Sequence, residues 1–277
     1  MAEHDRADLA ARPELRTDRP HPARVYDYLL GGKDNFEADR EAARKGLSAN
    51  PDSRIPPREN RLFLRRAVRF LAEQGIDQFL DIGTGIPSAP NVHHVAQRVD
   101  ARARVVYVDN DPIVLAHARA LLTGHPDGRT EYIDVDLRDV DSILRSAVLK
   151  ETLDLDRPVA LLLFAILHFV GDQDDPGAIV ERLLGALPSG SYLALSHLTG
   201  DFRPEAWAQV AEVYRRQGVT MRVRSRPEIE RFFAGLEMVD PGLCVLPAWR
   251  PGLGDPPEEP VPSDAQVSVY GAVARKA

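Results

Sequence analysis

The stretch that most constrains this chain is Gln78-Phe79-Leu80-Asp81-Ile82-Gly83-Thr84-Gly85-Ile86-Pro87. An apolar run ends in an acid and then breaks into two glycines one residue apart. The segment after Pro87 reads as a helix, Asn91–Val99. Strand, tight turn, helix is how an open α/β sheet places a nucleotide-like ligand at the carboxyl end of its first strand. The glycines supply unusual φ/ψ and let backbone approach the ligand closely. Many turns carry two glycines, so the later acids matter more. A second apolar run, Arg104–Asp109, ends in Asp109, and a third, Thr130–Asp134, runs on into Asp136.

The pattern continues to alternate. Pro158–Phe164 and Ser191–Ser196 read as further strands, and Pro112–Leu122, Asp139–Leu149 and Asp175–Leu187 as the helices between. Such alternation calls for a mainly parallel sheet covered by helices on both faces. Val159 to Phe164 shows no polar alternation, as a strand buried on both faces should. Arg203–Gln217 and Arg226–Phe233 read as helices. Then the rhythm changes: Leu236–Leu246 is extended with Pro241-Gly242 interrupting it, Pro247–Asp264 is a Pro-rich acidic loop, and Gln266–Val273 alternates like a strand. Two strands with no helix between them pair antiparallel.

Ahead of the first strand the chain reads as helical. Residues 1–22 show no periodicity and are expected as a mobile arm. Val25, Tyr28 and Leu29 share a helical face that stops at Gly31-Gly32. A second helix runs from Glu37 to Leu47. A third, Asn60–Glu73, is set off by breaks at Asn50-Pro51-Asp52 and Pro56-Pro57; its apolar stripe is Leu62, Phe63, Ala67, Phe70 and Leu71, and Arg61, Arg65, Arg66 and Arg69 line much of the rest. This portion either packs on the sheet edge as structure or folds over the crevice, which would bring Tyr26, Tyr28, Lys33 and Asn35 near the ligand. The expected organisation is a single domain over 23–277, a helical cap at 23–75 and an α/β core at 76–277.

Composition narrows the partners. The 277 residues are 44% hydrophobic and 28% charged, ordinary for a soluble protein. The formal net charge of -7 argues against a nucleic-acid partner. The longest apolar run, Val159–Leu167, is too short to span a membrane, and the charged N-terminus does not read as a signal peptide. A single cysteine, Cys244, excludes an internal disulfide framework and a Cys-based zinc site. No metal is expected: His93 and His94 are adjacent on a helix and diverge by roughly 100°. The expected location is the cytoplasm, and the oligomeric state is open between monomer and homodimer.

The ligand follows from the acid. The dinucleotide fingerprint needs a third glycine, but Ser88 stands there. Asp81, two residues before the first glycine, would repel a pyrophosphate and attract a cation. A ligand with a positive group and a ribose but no phosphate fits, and S-adenosylmethionine meets these terms. Asp109 can accept from a ribose diol, a role that serves NAD equally well. Asn110 would flank the adenine, Asp136 accept from its amino group and Leu137 pack on the ring. The bland alternative for Asp136 is an acid near a helix N-terminus.

These residues resemble class I S-adenosylmethionine-dependent methyltransferases. Asp81-Ile82-Gly83-Thr84-Gly85 is similar to their motif I, Asp109-Asn110-Asp111 to the acidic motif after it, and Asp136-Leu137 to the adenine-contact motif. Ala23-Arg24-Val25-Tyr26-Asp27-Tyr28-Leu29-Leu30-Gly31-Gly32-Lys33-Asp34-Asn35-Phe36 resembles the opening of an actinobacterial methyltransferase family formerly catalogued as a domain of unknown function. The resemblance implies a Rossmann-like α/β fold, a seven-stranded sheet of order 3-2-1-4-5-7-6 with its last strand antiparallel, and S-adenosyl-L-methionine as cofactor. Pro87 stands where the superfamily often has a third glycine and removes a donor, which leaves backbone contacts to Gly83, Thr84 and Gly85. The resemblance also places Phe164 and Ala165 beside the methyl group.

Methyl transfer mainly needs alignment in a dry pocket, with a base only for a protonated acceptor. His168 and His197 follow strand ends and are the candidate catalytic bases; a histidine hydrogen-bonded at a loop start is the plainer alternative for each. Three functions stay open at this point: a methyltransferase acting on a small-molecule acceptor, an NAD-dependent oxidoreductase, and a non-catalytic regulatory protein that binds the nucleoside.

Overall fold

The computed structural model describes residues 15–121, 124–253 and 260–277. Three helices precede the first strand: α1 (Pro22–Leu30), α2 (Glu37–Ala49) and α3 (Ile55–Glu73). The third starts earlier than its sequence suggests, because Pro56 and Pro57 lie in its first turn rather than breaking the chain before it. The N–H groups of a first turn have no partner within the helix, so proline loses nothing there.

The sheet follows as β1 (Gln78–Ile82), β2 (Arg104–Asp109), β3 (Arg129–Asp134), β4 (Ala160–Phe164), β5 (Tyr192–Leu198), β6 (Leu236–Met238), β7 (Cys244–Val245) and β8 (Val269–Lys276). Its order is β3-β2-β1-β4-β5-β8-β6, with β7 also paired to β8. β1 to β5 run parallel, and β8 runs antiparallel to β5, β6 and β7. This is the doubly wound, mostly parallel sheet that the resemblance implied, with one strand more than expected. The extended stretch 236–246 divides at Pro241-Gly242 into two short strands that both lean on β8.

Between the strands lie α4 (Val92–Val99), α5 (Pro112–Leu121), α6 (Val140–Arg145), α7 (Ala147–Thr152), α8 (Pro176–Gly185), α9 (Pro204–Arg215), α10 (Arg226–Glu230) and α11 (Asp264–Val267). The helix expected over 139–149 is two helices, parted at Ser146, whose extended ψ of 130° cannot continue a helix. The expected helix end at Leu122 and residues 254–259 of the expected Pro-rich loop lie outside the described residues. Among the described residues no helix is long and apolar enough to cross a membrane.

The N-terminal helices share the core of the sheet. Phe63, Ala67 and Leu71 of α3 are fully buried. The Phe63 ring meets Phe164 of β4 edge-on at 5.6 Å and Trp249 at 5.3 Å. Arg66, on the same helix, is buried and donates to the carbonyls of Trp249 (2.9 Å) and Leu246 (2.7 Å). A charged stripe on α3 therefore closes loop carbonyls that strand pairing leaves open. The strand order reverses between β1 and β4, and the crevice opens there, at the carboxyl ends.

Candidate cofactor and acceptor site

The turn after β1 is built for close approach. Gly83 (φ 76°) and Gly85 (φ 64°) lie in the left-handed region. A Cβ on Gly83 would stand 2.4 Å from Ile166 Cγ1, so only glycine lets the loop after β4 close on the turn. Its amides are already engaged: Gly83 N and Thr84 N donate to the Val108 carbonyl (2.8 and 3.4 Å), and Gly85 N donates to Asp109 Oδ2 (2.8 Å). Gly83, Thr84 and Gly85 thus line the crevice as shape and not as the free donors that their sequence suggested.

The crevice measures about 730 Å³ and is bordered by Asp81, Gly83, Thr84, Gly85, Asp109, Asn110, Asp136, Leu137, Phe164 and Ala165. Ten of the twelve expected cofactor residues thus meet in one place. Asp81 is buried, and among the described residues no hydrogen bond or ion pair reaches its carboxylate. Burial and the charge of Asp109 push its pKa up to about 7, against the pull of Arg61. An uncompensated buried carboxylate at a cleft wall is a seat for a cationic group. Asp109 is itself raised by burial. Its Oδ1 accepts from Asp111 N at 3.0 Å, so the carboxylate is fixed in place on both oxygens. Asp136 is more committed than expected. It accepts from Arg138 Nε (2.8 Å), Arg138 Nη2 (2.6 Å) and Asn110 Nδ2 (2.8 Å), and Arg138 holds its pKa below the ordinary range. These residues fit the nucleoside and amino end of S-adenosylmethionine.

Tyr28 and Asn35 do not join them. Arg54 lies over the Tyr28 ring at 5.2 Å, which ties it to the start of α3. Asn35 closes the turn after α1: its Nδ2 donates to Asp27 Oδ2 (2.7 Å) and its Oδ1 accepts from Arg40 Nε (2.7 Å). The opening signature therefore acts on the crevice through other residues. Arg24 reaches Asp111 with two parallel bonds, Nε to Oδ2 at 2.8 Å and Nη2 to Oδ1 at 2.9 Å, and both side chains are buried. Burial opposes the charge on Asp111, but hydrogen bonds from His21 and Arg24 outweigh it and hold the carboxyl below its usual range. Arg24 also donates to the carbonyls of Leu15 (2.7 Å) and Arg16 (3.3 Å). Residues 15–22 of the expected arm are consequently fastened over the crevice, where Arg16, Arg19, Pro20 and His21 border it. Residues 1–14 of that arm lie outside the described residues.

The histidines need correction. His197 is on β5, fully buried, and borders neither the crevice nor the cavity beside it. Its Nδ1 bonds the Leu198 carbonyl (2.7 Å) and its Nε2 meets Arg224 Nη1 (3.0 Å). A guanidinium only donates, so Nε2 accepts and Nδ1 carries the proton. Its role is to seat Arg224, which bonds the carbonyls of Leu167 and Val170, both at 3.0 Å. His168 lies in the turn after β4, beside the crevice, and burial together with Arg224 pushes its pKa down to about 3. It is neutral and a poor general base. It borders a second, apolar cavity that shares Tyr26, Asn60, Ala165 and Phe169 with the crevice.

A chain of hydrogen bonds stands at that junction, and the sequence offered no spacing that would reveal it. Ala165 N donates to Ser196 Oγ (2.9 Å), Ser196 Oγ to Asn60 Oδ1 (2.6 Å), Asn60 Nδ2 to Tyr26 Oη (3.0 Å), and Tyr26 Oη to the Pro57 carbonyl (3.0 Å). It holds Ala165 at φ 53°, a left-handed conformation that costs a residue with a Cβ about 1 kcal/mol.

Fold and crevice together define an S-adenosylmethionine-dependent methyltransferase of class I. The profile of the S-adenosyl methyltransferase family matches residues 8–277, and the chain belongs to that family. A DUF574 family protein from Streptomyces avermitilis has 48% identity over 95% of this chain and 100% of its own, with a TM-score of 0.92. A methyltransferase candidate from Thermobifida fusca has 39% identity, covering 97% and 99%, with a TM-score of 0.85. No curated protein matches the chain. Neither of the other two functions left open by the sequence finds support in these relatives.

Proposed function

We propose that the chain methylates a small molecule in the cytoplasm, holding S-adenosylmethionine between Asp81, Asp109 and the Asn110–Leu137 wall. The observation that carries this reading is the covered crevice. Arg16, Arg19, Pro20, His21 and Arg24 narrow it from the N-terminal side, and a cleft of about 730 Å³ suits a nucleoside plus a small partner rather than a polymer. Relatives from Streptomyces and Thermobifida support an actinobacterial source.

Each residue has a role that its setting supports. Asp81 pairs with the ammonium group, Asp109 accepts from the ribose hydroxyls, and Leu137 packs on the adenine. Phe164 and Ala165 border the methyl end and exclude water. When bound, the sulfonium supplies an electrophilic methyl group whose departure leaves a neutral thioether. The protein's part is then to align the acceptor and keep the site dry, terms that can supply most of the rate. Calorimetry with S-adenosylhomocysteine tests the cofactor roles, with one site expected and Asp109→Ala weakening it by at least about tenfold. For the acceptor, a methyl-labelled donor is incubated with the enzyme and a cell extract. Label is expected in the low-mass fraction; label confined to macromolecules rejects the small-molecule reading.

A further inference from the structure

The apolar cavity beside the crevice carries information on the acceptor. We propose that the acceptor is a neutral, mainly apolar molecule that inserts the edge of a hydroxyl-bearing ring into the cavity between α1, α2, α3 and α9. This rests on the methyltransferase reading above and names the class of molecule that reading leaves open.

Position comes first. The cavity opens off the crevice at Ala165, next to the end of β4, and its mouth is framed by Tyr26, Asn60 and Phe169. An acceptor lodged there reaches the methyl end without crossing the ribose side. Charge comes second. None of the described residues that border the cavity is Asp, Glu, Lys or Arg. His168, the one titratable imidazole among them, is kept neutral by burial and by Arg224. A charged acceptor would lose its hydration with no countercharge to meet it.

Polarity comes third. Two buried atoms that belong to lining residues have no hydrogen-bond partner among the described residues: His168 Nδ1 and Trp207 Nε1. The residues are 7% and 3% exposed. Such orphans are rare in folded proteins and need an explanation. The indole N–H only donates, while an imidazole nitrogen without a proton accepts. A hydroxyl can satisfy either. A carboxylate cannot donate, and an ammonium cannot accept. Size comes last. The cavity is about 60 Å³, several times what one water needs and well under the roughly 150 Å³ that encloses a whole benzene. It admits the leading edge of a ring, and the remainder lies in the crevice.

The test uses the full chain saturated with S-adenosylhomocysteine and three probes of one shape: para-cresol, toluene and para-toluate. Dissociation constants come from NMR titration. Para-cresol is expected to bind about tenfold tighter than either of the others. Trp207→Phe keeps the aromatic filling but removes the donor, and should bring para-cresol down to the level of toluene. Gly46→Leu provides a second arm from a different helix. A Cβ at Gly46 stands 3.5 Å from Tyr214 Cε2, an ordinary contact, so α2 accepts a Cβ there, and the longer leucine side chain is chosen to fill the cavity. All three probes should then fail, with S-adenosylhomocysteine affinity unchanged. Equal affinity for the three probes, or para-cresol binding indifferent to both variants, overturns the assignment of the cavity. Failure of folded protein to bind S-adenosylhomocysteine overturns the methyltransferase reading beneath it, and is seen separately.

Discussion

At the scale of the residue, the proposed grip on the cofactor turns on Asp81. Its carboxyl, pushed up to about 7 by burial and by Asp109, must ionise to pair with an ammonium. Binding therefore expels a proton near neutral pH. Affinity for S-adenosylhomocysteine should fall about tenfold for each pH unit below 7, and level off above it. Calorimetry in buffers of different ionisation enthalpy measures the released proton directly. Asp81→Asn should bind weakly and show no such slope. Asp111 has the opposite sign. Its pKa is lowered on folding by His21 and Arg24, so its contribution to stability is present above about pH 4 and is lost as the pH falls further. Arg24→Ala leaves that buried carboxylate with only His21 and the Ile113 amide beside it, at an expected cost of about 3–5 kcal/mol, read from urea unfolding at neutral pH.

At the scale of the element, α3 is where the cap joins the sheet. Gly271 of β8 faces it, and a Cβ there would come within 2.5 Å of Leu246 Cδ2 and 2.9 Å of Phe63 Cε1. Gly271→Ala should destabilise by about 1–3 kcal/mol through overpacking. Phe63→Ala should cost about 3–5 kcal/mol, and the double variant less than the sum, since each relieves the other. Elements were the most legible level of this chain. The apolar runs at 78–82, 104–109 and 160–164 mark their strands because a strand buried on both faces has no polar alternation to confuse it. The acids Asp81, Asp109 and Asp136 were legible for the same reason, as polar groups at the ends of such runs. Asn60, Arg61 and Arg66 were not. They occur in a helix of ordinary amphipathic pattern, and only the tertiary fold turns them toward the crevice or toward loop carbonyls. His168 and His197 misled because a position at a strand end predicts a rim but not the burial that strips basicity. Tyr28 and Asn35 misled because a family signature also contains the residues that shape its own turns.

At the scale of the whole molecule, residues 16–24 and the carboxyl ends of the strands border one and the same crevice. Removing residues 1–21 should strip Arg16, Arg19, Pro20 and His21 from the crevice while leaving α1 and the sheet in place. The truncated enzyme should release S-adenosylhomocysteine at least about tenfold faster, measured by stopped-flow displacement, with its association rate less changed. The latch also has a bearing on turnover. Arg24 grips Asp111, and Asp111 N is bonded to Asp109, the residue proposed to hold the ribose. Arg24 also holds the Leu15 and Arg16 carbonyls, so lifting that segment should disturb the carboxylate proposed to hold the sugar. Release of the spent nucleoside is expected to wait on that opening, so the first methyl should be delivered in a rapid burst, and every later round should wait on an exit whose pace the cover sets.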